Sequence, residues 1–95
     1  MVYNVSIIFY LNESTLSIDT DMDFMNLSEI IEDTIRTYDT FIHPCVEISK
    51  GISLSLHSSI NEYIISFCLN EYENVNYILS LIKEQGYEYD GYRVS

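Results

Sequence analysis

Two clusters of side chains in this 95-residue chain have residue types that could hold a metal. Asp19, Asp21 and Asp23 stand at alternate positions, as the leading carboxylates of a calcium loop do. Such a loop also needs glycine at its sixth position and glutamate at its twelfth, where this chain has Phe24 and Ile30. The run reads instead as a solvated lead-in to a helix, where negative charge is favourable. His43, Cys45, His57 and Cys68 make a two-histidine, two-cysteine set by count. Their spacing, one His-x-Cys and two distant singles, matches no zinc pattern. Neither cluster predicts a metal, and no cofactor is expected.

Catalytic constellations are equally thin. The chain has no Gly-x-Ser-x-Gly, no glycine-rich phosphate loop and no Cys-x-x-Cys. Three glycines leave little backbone freedom for a phosphate cradle. The reading is of a protein that is not an enzyme.

The remaining chemistry is charge. Fifteen acidic residues face four basic ones, for a formal net charge of -11. The chain is rich in residues with A/T-rich codons, with 14 Ile, 9 Tyr and 7 Asn, yet has only Lys50 and Lys83 as lysines. Lysine codons share that bias, so codon drift does not explain the shortage; pressure against positive charge does. Ordinary solvated surfaces mix both signs. A chain this acidic is repelled by nucleic acid and by anionic membrane, and its natural partner is basic.

Two acidic surfaces stand out. Glu29, Glu32 and Asp33 occupy the polar side of a predicted helix, with Asp39 at its end. Carboxylates one turn apart are about 5–6 Å from each other, comparable with the roughly 3.4 Å rise between phosphates of one DNA strand. Tyr72, Tyr77, Tyr87, Tyr89 and Tyr92 crowd the C-terminal third beside Glu71, Glu73, Glu84, Glu88 and Asp90. Tyrosine supplies large contact area at low entropic cost and is favoured at interfaces. The expected partner-binding residues are Glu29, Glu32, Asp33 and Asp39, with Tyr87, Tyr89 and Tyr92.

The elements that must position them follow from periodicity. Val5, Ile7, Phe9 and Leu11 alternate in a first strand. Asn12–Ser14 reads as a turn, and Leu16 and Ile18 as a second strand. Leu27, Ile30, Ile31, Thr34, Ile35 and Tyr38 form one helical stripe. Asn26 and Glu29 fit a capping box, and Met25 with Ile30 a hydrophobic staple. Pro44 keeps that helix from resuming. Ile52, Leu54 and Leu56 alternate before a turn, with Lys50-Gly51 as a tight turn or bulge ahead of them. Tyr63, Ile65, Phe67 and Leu69 alternate after it. Val75, Ile78, Leu79 and Ile82 mark a second helix ended by Gly86. Tyr87 to Val94 reads as a last strand or, folded at Asp90-Gly91, as a small hairpin. Serines occupy the opposite strand face, as in a sheet buried on one side only.

Residues 1–95 therefore read as one compact α+β domain. It is a two-layer sandwich, a mostly antiparallel sheet with two helices on one face, ferredoxin-like with an extra hairpin. There is no secretory signal and no apolar run long enough to span a membrane. Two cysteines far apart in sequence fit free, buried thiols in a reducing cytosol.

In size and charge the chain resembles phage anti-defence proteins, including anti-CRISPR and DNA-mimic proteins. No residue motif carries that resemblance. It implies a small acidic inhibitor that binds a basic nucleic-acid-binding protein or nuclease and blocks its groove, in the host cytoplasm if phage-encoded. The alternatives are a toxin-neutralising immunity protein and a ferredoxin-like regulatory module that forms a homodimer.

Overall fold

The computed structural model describes residues 1–11, 18–54 and 59–95. Strand β1 spans Tyr3–Leu11, helix α1 Ile18–Thr34, strands β2 and β3 Glu47–Leu54 and Ser59–Leu69, helix α2 Asn74–Glu84, and strand β4 Gly91–Val94. The strands form one sheet in the order β2-β3-β1-β4, with every neighbouring pair antiparallel. Each helix thus connects two strands that have one other strand between them in the sheet. The split β-α-β repeated twice is the ferredoxin-like fold. No helix among the described residues is long and apolar enough to cross a membrane.

Alternation along the strands sends Val5, Ile7 and Phe9 of β1, and Tyr63, Ile65, Phe67 and Leu69 of β3, into the core. Register pairs them directly, Val5 with Phe67 and Ile7 with Ile65. Both helices add their apolar stripes there: Phe24, Leu27, Ile31 and Ile35 from α1, and Val75, Ile78, Leu79 and Ile82 from α2. Phe24 stacks on Tyr63 with ring centroids 4.4 Å apart and meets the edge of Phe9 at 5.0 Å. No described element covers the other sheet face. It carries Asn4, Ser6, Ile8 and Tyr10 opposite Cys68, Ser66, Ile64 and Glu62.

The structure departs from the sequence reading in several places. Helix α1 begins at Ile18, so Asn26 lies inside it and caps nothing, and Met25 is exposed. The apolar stripe continues upstream of Leu27 to the buried Phe24, and the helix continues with it. Ile18 is helical where a second strand was expected; the rest of that expected hairpin lies outside the described residues. Lys50-Gly51 forms no tight turn, and β2 runs straight through it. Ile52 stays 67 % exposed at the sheet edge. The last strand is shorter than expected and starts at Gly91.

Tyr38 is the clearest correction to the expected core. Residues Ile35–Asp39 form a π-helical turn. At its entry Thr34 bonds back to the Ile30 carbonyl at 2.8 Å, a contact that loosens the α-helical ladder. Hydrogen bonding five residues back advances each residue by a smaller angle than an α-helix does. The phase therefore lags, Tyr38 swings out to 65 % exposure, and Asp39 turns inward in its place.

Candidate partner-binding surface

The expected acidic contact residues separate into three environments. Glu29 and Asp33, four residues apart, are exposed on α1. Glu32 is half-buried and held by Arg36 at 2.8 Å, while Arg36 also donates to the Ile42 carbonyl at 3.3 Å. Asp39 is no surface carboxylate. It is 3 % exposed and accepts from the Asn70 and Glu71 backbone N–H groups and the Asn74 side-chain amide, at 2.6, 3.0 and 2.7 Å. Its role is to anchor the chain ahead of α2, so it is withdrawn from the contact set.

The three tyrosines sit at the other end of α2. Gly86, at φ 89°, takes the left-handed conformation that ends the helix. Its N–H bonds the Lys83 carbonyl at 3.0 Å, and the Tyr87 N–H reaches back to Ile82 at 3.1 Å. That pair of bonds is a Schellman ending, and it fixes the direction in which Tyr87 leaves the helix. The loop then docks on β1, where the Asp90 N–H donates to the Ile8 carbonyl at 2.8 Å. The Asp90 carboxylate accepts from the Tyr10 N–H at 2.6 Å.

These constraints shape an open cleft of about 460 Å³ between α1, the end of β1 and the α2–β4 loop. Its lining includes the aromatic residues Phe9, Tyr10, Phe24 and Tyr87 and the acidic residues Asp23, Glu88 and Asp90. No basic side chain is among its described lining residues. The Tyr87 hydroxyl donates to the Asp23 carbonyl at 3.3 Å. Burial, with the Asp23 charge adding to it, pushes the Tyr87 phenol up, so it stays protonated. A second cleft, about 600 Å³, shares Gly86, Tyr87 and Glu88 and adds Tyr89 and Lys83. There the Lys83 ammonium lies 5.3 Å from the Tyr89 ring centre. Tyr89 meets Tyr92 edge-on at 6.2 Å, but Tyr92 lines neither cleft.

The fold therefore joins Tyr87 and Tyr89 to Glu88, and Tyr87 to Asp23 and Asp90, but not to Glu29, Glu32 or Asp33. The sequence reading did not group Asp23, Asp90 and Tyr10 with Tyr87 because they come from three distant parts of the chain. The only sequence signal was the alternation Tyr87, Glu88, Tyr89, Asp90. Chemically the cleft offers carboxylate acceptors beside aromatic faces, a surrounding suited to an ammonium or guanidinium group.

A second charged cluster fastens α1 to the sheet. The Tyr63 hydroxyl donates to the Asp21 carboxylate, and Lys50 sits 3.6 Å from the same oxygen. The Tyr63 bond, with Lys50 helping, holds the Asp21 carboxyl below its ordinary range. Burial and Asp21 push the Tyr63 phenol up, so it serves as a donor and not as a base. Asp21 and Asp23 are both in a helix two residues apart, so they point to different flanks instead of wrapping one ion.

No family model and no curated protein matches the chain. Among solved structures, it is similar to a dimeric protein of ferredoxin-like fold from Bacteroides fragilis, at 8% identity and TM-score 0.43, covering 99% of this chain and 91% of that one. It is also similar to part of the periplasmic protease PqqL from Escherichia coli, at 16% identity and TM-score 0.40 over 90% of this chain. The chain spans only 10% of the protease's length. No residue role transfers at this level of likeness.

Proposed function

We propose that this protein is a small acidic inhibitor that docks on a basic, nucleic-acid-binding protein and blocks its groove. The observation that carries this reading is the Tyr87 cleft, where three acidic and four aromatic residues meet with no basic side chain among the described lining residues. A lysine or arginine of the partner seats there. Glu29 and Asp33 on α1 contribute to the field that steers encounter, and the net charge of -11 sets its sign. The setting is the cytoplasm in which the partner works.

Affinity capture from a host lysate, with and without competing DNA, identifies the partner. Association rates of that partner with D23K/E88K and with E29K/D33K then test the surface. The cleft variant should lose tight binding, and the helix variant should mainly lose association rate and salt dependence. Unchanged binding by D23K/E88K would sink the cleft as the docking site. Capture of a nuclease toxin unaffected by DNA would favour the immunity-protein alternative.

A second reading is supported by the open sheet face. Ile8, Ile64 and Tyr10 lie there, with Glu47, Glu62 and Arg93 as its described charged side chains. A homodimeric module would pair two copies through it. Sedimentation equilibrium separates the readings, since a tight dimer indifferent to basic proteins would favour the module.

A further inference from the structure

The two cysteines are 23 positions apart in sequence, yet both line one cavity. Glu47 pairs with Ser66 at the start of β2. Cys45 lies just ahead of that pair, in the segment that leads into β2. The Cys68 N–H donates to the Pro44 carbonyl at 2.8 Å, so the chain is still held against β3 beyond the last ladder pair. Cys45 lies between these two attachments with φ 51°, in the left-handed region that residues other than glycine seldom occupy. Thr40, at φ 56°, stands near the other end of the same connection. Both thiols line one small cavity of about 210 Å³, together with Asn4, Glu47 and Ser66. The Cys68 thiol donates to the Asn4 side-chain carbonyl at 3.2 Å, and both cysteines are free. A disulfide requires Cβ atoms roughly 3.5–4.5 Å apart, and the bond from Cys68 to the residue just before Cys45 brings the two cysteines to the walls of one small cavity.

We propose that Cys45 and Cys68 form an oxidation site that closes reversibly into an intramolecular disulfide when the protein meets a hydroperoxide. Cys45 is the exposed sulfur and reacts first. Its thiolate attacks hydrogen peroxide, the O–O bond breaks, and Cys45 sulfenic acid and hydroxide form; the hydroxide takes up the proton that Cys45 released. The Cys68 sulfur then attacks the sulfenic sulfur, the S–O bond breaks, and the departing hydroxide leaves as water with the Cys68 proton. Two thiols are oxidised, one peroxide is reduced, and two waters are formed. Burial, with the Cys45 and Glu47 charges adding to it, holds the Cys68 thiol up and protonated, so the exposed Cys45 is the one that meets peroxide first. The new bond ties the connection between the Asp39 anchor and β2 to β3. Glutathione or thioredoxin reverses it, as for sensing disulfides in reducing compartments.

The test is a hydrogen peroxide titration of the folded full chain, followed by non-reducing peptide mapping, which keeps methionine oxidation separate. The expected result is loss of both thiols together, a linked peptide pair carrying Cys45 and Cys68, a monomeric mass, full reversal by dithiothreitol and a raised melting temperature. In C68S, Cys45 should accumulate as a dimedone-reactive sulfenic acid; in C45S, Cys68 should react several-fold more slowly. Independent loss of the two thiols would overturn the site, as would over-oxidation of Cys45 without a linked pair, or linkage found only between copies. Equal reaction of Cys68 in C45S would overturn the assigned order.

Discussion

The Asn74 side-chain amide donates to the Asp39 carboxylate at 2.7 Å, joining the end of the π-helical turn to the first turn of α2. The same carboxylate accepts two backbone N–H groups just ahead of that helix. One buried charge thereby satisfies donors that would otherwise be orphaned near a helix start. D39A should destabilise the protein by about 3 kcal/mol, the scale of losing hydrogen bonds to a buried charge. N74A removes a single bond and should cost about 1 kcal/mol. Urea denaturation followed by circular dichroism measures both, and a D39A loss no larger than that of N74A would show that Asp39 does not anchor the segment.

Gly86 sets the exit from α2. A Cβ there meets nothing within 4 Å, so the cost of substitution is conformational and not steric crowding. G86A should lose about 1–2 kcal/mol, because an L-residue is forced into the left-handed region. It should also loosen the Tyr87 cleft, visible as faster amide exchange across 86–90. Stability equal to wild type would mean that the chain leaves the helix another way.

Asp21 predicts an acid response. Its folded pKa lies below the ordinary 3.8, chiefly through the Tyr63 hydroxyl. A lowered carboxylate contributes stability that is fully present above its unfolded value and lost as pH falls through the folded one. The melting-temperature margin of wild type over D21N should therefore be constant near neutrality and shrink below 3.8. Y63F keeps the stack on Phe24 but removes the donor, so its Asp21 should titrate closer to the ordinary value in carboxyl NMR. A margin that does not change with acid would contradict the assignment.

Self-repulsion from a net charge of -11 should make the fold salt-sensitive. Melting temperature should rise with sodium chloride, most steeply up to about 0.15 M, where the screening length falls to about 8 Å. E29K/D33K should capture part of that gain at low salt. A flat salt profile would show that the carboxylates are spaced widely enough not to strain the fold.

Much of the fold was legible because its apolar residues repeat with the period of their elements. Val75, Ile78, Leu79 and Ile82 mark α2, and all four are buried. Tyr63, Ile65, Phe67 and Leu69 mark β3, and all four face the core. The one-sided strand pattern foretold the open sheet face. Asn26 misled because a good capping residue also stands inside helices, and only packing of Phe24 on Tyr63 shows that α1 starts earlier.

The contact surface was far less legible. Charge is a property of the whole chain and survives any folding, so an acidic surface followed from composition alone. Which carboxylates share a site depends on contacts between segments distant in sequence. A single π turn exchanged Tyr38 for Asp39 at the core, removing one expected contact residue. Tyr87 met Asp23 across 64 positions because the sheet order sets β1 beside β4 and the helices above them. Local periodicity determined the elements and the faces they bury; only tertiary packing, which fixes helix phase and brings remote loops together, decided where the acidic and aromatic groups converge.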